Sequence, residues 1–170
     1  MKKVILFILL LSALASCTSA QDKITTLILV RHAEKANDGS KDPALTENGL
    51  ARAEELVRIL KETKIDAIYS TPFVRTMATV QPLATAKGLS IVTYEPMKGE
   101  EMDRVLEKHN GETIVISGHS NTTPWVINYF LGEKEVADFS DSDYDNLLIL
   151  SVITKGNAKL TWLNYGNESH

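Results

Sequence analysis

The sequence predicts a three-layer α/β/α sandwich with a mostly parallel sheet and an antiparallel edge. Three observations carry that expectation. Short runs of branched apolar residues alternate with longer stretches whose apolar residues recur every three or four positions. The first run, Leu27-Ile28-Leu29-Val30, is continuously apolar, as in a strand buried on both faces. Near the end, two further runs flank Lys155-Gly156-Asn157, which reads as a hairpin.

In order, the first strand runs into Arg31-His32-Ala33-Glu34, and Lys35 to Pro43 is a loop. Thr46 is an N-cap for a helix presenting Leu50, Ala53, Leu56, Val57 and Leu60. Ala67-Ile68-Tyr69 is a short strand that stops at Ser70-Thr71-Pro72. A helix from Thr76 to about Ala86 is closed by Gly88, with Pro82 expected to kink or divide it. Ile91 to Tyr94 is a third strand, and Glu100 to His109 a helix with Met102, Val105 and Leu106 facing inward. Thr113 to Ile116 is a fourth strand, ending at Ser117-Gly118-His119-Ser120-Asn121. Pro124 suits the first turn of a helix that Gly132 terminates. Glu133 to Asp143 is an acidic loop, and Asn146–Thr154 and Ala158–Leu163 are the hairpin strands.

The 170 residues allow one domain with a substantial core. The formal net charge of -4 argues against a nucleic-acid binder, which needs a basic face. Any anionic substrate must be drawn by a local cluster of positive charge. Residues 1 to 16 read as a signal peptide, with basic Lys2 and Lys3, an apolar run from Val4 to Leu14, and small residues around Cys17. Leu14-Ala15-Ser16-Cys17 resembles a bacterial lipobox. Cleavage there would leave Cys17 as a lipid-modified N-terminus anchored in the cell envelope, followed by a tether over 17–23 and the domain over 24–170. An ordinary secretion signal cut near Ala15 or Ala20 is the alternative. Cys17 is the only cysteine, so it has neither a disulfide partner nor a thiolate companion for a metal.

Two strands end in histidine, and a third ends shortly before Arg75. If these strands run parallel, Arg31, His32, Arg75 and His119 gather on one sheet edge, where open α/β sheets place their ligands. Two arginine forks match the oxygens of a tetrahedral dianion. A neutral histidine is a competent nucleophile toward phosphorus, and neighbouring arginines depress its pKa. The set supplies positioning and charge stabilisation for phosphoryl transfer with no metal and no cofactor. His109 and His170 are expected at the surface, and Trp125, Tyr129 and Phe130 in the core or a pocket wall. Asp141, Asp143 and Asp145 lack the glycine and distal glutamate of a calcium loop, and a turn is expected there.

Leu29-Val30-Arg31-His32-Ala33-Glu34 resembles the signature of the histidine phosphatase superfamily, with alanine where glycine is common. Tyr69-Ser70-Thr71-Pro72-Phe73-Val74-Arg75 with Thr79 is similar to its second motif, and Gly118-His119-Ser120-Asn121 to its third. Asp42-Pro43-Ala44-Leu45-Thr46-Glu47-Asn48-Gly49 resembles the segment linking the first two. The resemblance implies His32 as the nucleophile that becomes phosphohistidine, with Arg31 and Arg75 as phosphoryl clamps. It also implies His119 as a transition-state stabiliser and Asn121 as a phosphate-binding position. The family's general acid is often a Glu or Asp after the second motif, or an Asp directly after the second histidine, and Ser120 fills the latter place here. Glu100 is therefore the first choice of general acid, with Glu101, Glu95 and Glu34 as alternatives. The implied activity is hydrolysis of a phosphate monoester or a phosphorylated protein side chain. A phosphate-binding lipoprotein that has lost turnover is the runner-up, ahead of a phosphoglycerate mutase-type transferase.

Overall fold

The apolar run before Arg31 becomes an interior strand of a single sheet. The structure, a computed structural model, describes residues 23–169. The described elements are β1 (Thr25–Arg31), α1 (Glu47–Ile59), β2 (Ala67–Ser70), α2 (Val74–Lys87), β3 (Ile91–Thr93), α3 (Gly99–Lys108), β4 (Thr113–Gly118), α4 (Thr122–Leu131), β5 (Asn146–Thr154) and β6 (Asn157–Asn164). The strands lie in the order β3-β2-β4-β1-β5-β6. The first four strands in sequence pair in parallel, and β5 and β6 extend the sheet antiparallel beyond β1. This is the expected α/β class, with its antiparallel edge.

Side-chain alternation along β1 divides the core into two layers. Leu27 and Leu29 pack on one face with Ile114 and Ile116 of β4, Met102 of α3 and Phe130 of α4. Ile28 and Val30 pack on the other with Leu56 of α1 and Val80 and Leu83 of α2. Each such side chain contributes about 1.5–3 kcal/mol on burial. Helices therefore cover both faces of the sheet.

Three local expectations are corrected. α2 starts at Val74, two residues early, and runs unbroken through Pro82. Its N-cap, Phe73, offers no side-chain acceptor, and the Asp42 carboxylate receives the Val74 N–H instead, at 3.1 and 2.9 Å. α4 starts at Thr122 and keeps Pro124 in its first turn, as expected. The hairpin loop is the two residues Lys155-Gly156, with Gly156 at φ 80°. His109 is buried, not exposed, because Tyr69 Oη and the Glu112 carboxylate take its two ring nitrogens at 3.0 and 2.6 Å. Phe130 is core, and the partly buried Trp125 and Tyr129 stack beside it. The signal peptide, Cys17 and His170 lie outside the described residues. No helix among the described residues is long and apolar enough to cross a membrane.

Candidate active site

Parallel pairing brings the carboxyl ends of β2, β4 and β1 side by side. Arg31 is in register with Gly118, and the chain leaves β1 with His32 N–H donating to the Gly118 carbonyl at 2.9 Å. Thr71 N–H donates to Ser117 O at 3.3 Å on the other side of β4. The His32 and His119 rings consequently face each other with centroids 5.5 Å apart. Gly118 lets the start of α4 close over the end of β4: a Cβ there would lie 2.8 Å from the hydroxyls of Thr122 and Thr123.

Hydrogen bonding settles which nitrogen of His32 is free. Its Nδ1 lies 2.9 Å from the Ala33 carbonyl, which can only accept, so Nδ1 carries the proton and Nε2 the lone pair. The Ala33 N–H donates to Thr79 Oγ1 at 2.9 Å, and Thr79 donates to the Arg75 carbonyl. Burial pulls the His32 pKa down to about 3, and the charges of Arg31, His119 and Arg75 act the same way, against the Ala33 hydrogen bond. His32 is thus a neutral imidazole with an unprotonated Nε2.

His119 is fixed in the opposite tautomer. Arg75 Nη2 can only donate and lies 3.3 Å from His119 Nδ1, so Nδ1 accepts. Nε2–H then donates to Thr71 Oγ1 at 2.9 Å, Thr71 donates to Thr76, and Thr76 to the carbonyls of Thr71 and Phe73. Burial lowers the His119 pKa to about 4, with Arg75 and Arg31 adding to the shift and Asp42 opposing it. Arg75 is oriented by Asp42, which accepts from Nη1 at 3.0 Å, and by the Phe73 ring, 4.7 Å below the guanidinium. Neither Asp42 nor the Thr71–Thr76 pair stands out as a site residue in the sequence. The acidic Asp42 in a polar loop, close to the start of α2, is the nearest thing to a signal.

Arg31 is held from the acidic loop. Its Nη1 donates to the carbonyls of Ser140 and Asp143 at 2.6 and 3.0 Å, and its guanidinium lies 4.3 Å from the Tyr144 ring. Burial lowers its pKa, while Tyr144, Asp141 and Asp143 oppose the shift. Two of the aspartates expected in a turn, Asp141 and Asp143, thus lie close enough to Arg31 to act on its charge. The Nε donors of Arg31 and Arg75 are buried without a protein partner. Unpaired buried donors are costly, and two cationic ones flanking a pair of histidines suit an anion.

The remaining candidates sit apart. Glu100, Glu101 and Glu95 border a cleft of about 850 Å³ with Pro72, Tyr94 and Arg104. Pro72 follows Thr71, so this cleft adjoins the His119 side of the site. Glu95 is paired with Lys98, leaving Glu100 and Glu101 as the acids on that wall without an ion pair. Glu34 turns the other way, into Arg52. Asn121 begins α4 with an exposed side chain and borders a separate pocket with Trp125 and Tyr129. Among the described residues, no group of three or more His, Cys, Asp or Glu is placed to hold a metal.

The family model for the histidine phosphatase superfamily (branch 1) matches residues 27–102. Phosphoserine phosphatase 1 of Hydrogenobacter thermophilus is 36% identical over 91 residues, which are 50% of this chain and 39% of that enzyme. The protein histidine phosphatase SixA, solved with tungstate, superposes with a TM-score of 0.68 at 15% identity, over 82% of this chain and 96% of that one. The chain shares its fold with that enzyme. A phosphoserine phosphatase of Entamoeba histolytica, solved with phosphoserine, gives a TM-score of 0.63 at 18% identity, over 83% and 96%.

The depressed histidine pKa values carry a stability signature. In the unfolded chain each histidine takes up a proton near 6.5, whereas the folded chain resists until about 3 for His32 and about 4 for His119. Between those values the unfolded state binds more protons, so stability is full above about pH 6.5 and falls as pH drops toward 4. His32 alone contributes a slope approaching ~1.4 kcal/mol per pH unit. Urea midpoints of the native protein should therefore fall more steeply from pH 6.5 to 4.5 than those of His32→Gln. Parallel profiles would mean that His32 is not held neutral.

Proposed function

We propose that this chain is a member of the histidine phosphatase superfamily that hydrolyses a phosphate monoester, or a phosphorylated protein side chain, through a phosphohistidine on His32. One observation carries the reading. An unprotonated His32 Nε2 stands beside a second neutral histidine, flanked by two arginines whose buried Nε donors lack protein partners. The partial match to Phosphoserine phosphatase 1 and the shared fold with SixA support it.

In this mechanism the Nε2 lone pair attacks phosphorus in line, and the bond from phosphorus to the leaving oxygen breaks. That oxygen takes the electron pair and a proton from Glu100. Water then gives a proton back to the Glu100 carboxylate and attacks phosphorus, and the P–N bond breaks to restore Nε2. Arg31 and Arg75 stabilise the equatorial oxygens throughout, and His119 joins them by turning its Nε2–H from Thr71 Oγ1 to a phosphoryl oxygen. The neutral state of His119 suits it to this task without stripping His32 of its nucleophilicity through added positive charge. Asn121 is proposed to assist phosphate binding after a side-chain rotation toward His119. The chemistry proposed needs no metal.

The test pairs two substrates. Native protein should hydrolyse p-nitrophenyl phosphate, and His32→Ala should reduce kcat at least ~1,000-fold, as loss of a covalent nucleophile does. Glu100→Gln should slow an alkyl phosphate about 100-fold but p-nitrophenyl phosphate little, because nitrophenolate leaves without a proton. Absence of turnover on both substrates across the pH range would overturn the assignment. Equal losses on both would remove Glu100 as the acid.

We also propose that the protein is exported and lipid-anchored through Cys17 in the bacterial envelope, on the strength of Leu14-Ala15-Ser16-Cys17. Cys17→Ala should move the protein from the membrane to the soluble fraction. Unchanged partitioning would contradict the anchor.

A further inference from the structure

Arg52 lies outside the phosphate site and is almost fully buried, at 3% exposure. A guanidinium there is expensive unless its donors are all engaged. Its Nε reaches both oxygens of Glu34 at 3.1 and 3.0 Å, and Nη2 reaches Glu34 Oε1 at 2.7 Å. Nη1 and Nη2 also donate to the carbonyls of Tyr165 and Asn167, at 2.6 and 2.8 Å. The C-terminal segment thus wraps around one end of Arg52, and the other end grips the residue two positions after His32.

Glu34 is held by its backbone as well. Its carbonyl accepts from Thr46 N–H at 2.9 Å and from Thr46 Oγ1 at 3.3 Å. Gly49 of α1 crosses so closely that a Cβ there would lie 2.3 Å from the Glu34 oxygen and 3.1 Å from its nitrogen. On the other side, the Ala33 N–H is tied to Thr79. Between these two anchors sits the Ala33 carbonyl, the acceptor that keeps the His32 proton on Nδ1. An Ala33–Glu34 peptide free to rotate would release that proton, and His32 could then carry it on Nε2, where the lone pair is needed.

We infer that Arg52 is a positioning residue for His32: by locking Glu34, it fixes the Ala33–Glu34 peptide and with it the imidazole tautomer. The inference rests on the proposed role of His32 as nucleophile. The bidentate geometry matters, because a lysine at 52 would keep the charge but lose the fork that holds both carboxylate oxygens. Gly49, one turn before Arg52 on α1, serves the same peptide through space rather than charge.

The test reads the tautomer directly, by nitrogen NMR of the His32 ring in full-length 15N-labelled protein. The native chain should show a protonated Nδ1 and an unprotonated Nε2. Arg52→Lys, Glu34→Gln and Gly49→Ala should each give mixed tautomers, with kcat reduced about 10-fold or more and KM little changed. Val152→Ala, a distant core variant that lowers thermal stability, should leave the ring pattern untouched. If Arg52→Lys does not fold, Glu34→Gln and Gly49→Ala still decide the matter. A native ring pattern in those folded variants would overturn the inference, whatever the protein's activity. A native chain with the predicted tautomer shift in the variants but no phosphatase activity would instead overturn only the function proposed for His32.

Discussion

The register of β1 against β4 is the constraint on which the site depends. Arg31 opposite Gly118 places His32 beside His119, and the 5.5 Å between their rings follows from that pairing. A slip by one residue would reverse every side chain of β1 between the two core layers, exposing Leu27 and Leu29 to the wrong set of partners. The packing that fixes the fold therefore also fixes the chemistry. Gly118 and Gly49 mark the two places where a helix comes within a side chain's width of that arrangement.

Electrostatics then act on a geometry already set. Two arginines are held at the edge of the sheet by groups that leave part of each guanidinium unpaired: Asp42 and the Phe73 ring for Arg75, loop carbonyls and Tyr144 for Arg31. Burial and these cations keep both histidines neutral. Opposite tautomers give them different work, with a lone pair offered at His32 Nε2 and a hydroxyl chain from Thr71 to Thr76 fixing His119. The cleft alongside is lined by Glu95, Glu100 and Glu101, and the ion pair of Arg75 is made instead with Asp42.

Much of this was legible in the sequence because it is local. The buried strand, the Arg-His pair at its end and the second histidine after Ile116 each announce themselves within a few residues, and parallel pairing of their strands follows from the alternation of elements. What stayed hidden depends on partners far along the chain. Asp42 caps α2 and grips Arg75 across 33 positions, and Arg52 reaches Glu34 across 18 and Asn167 across 115. His109 sits in a polar stretch and looks exposed, yet the Tyr69 hydroxyl, 40 residues earlier, satisfies its ring inside the core. Pro82 would break an isolated helix, but the α2 face that packs on the sheet, Val80 and Leu83 among its residues, keeps the helix in one piece.

The most direct measurement of the central claim is to mix the protein with excess p-nitrophenyl phosphate, quench in alkali within the first turnovers, and locate the bound phosphoryl group by 31P NMR and peptide mass spectrometry. The account predicts a base-stable, acid-labile phosphoryl group on Nε2 of His32. Turnover with no phosphorylated histidine, or with the phosphoryl group on His119 or on Nδ1 of His32, would contradict it.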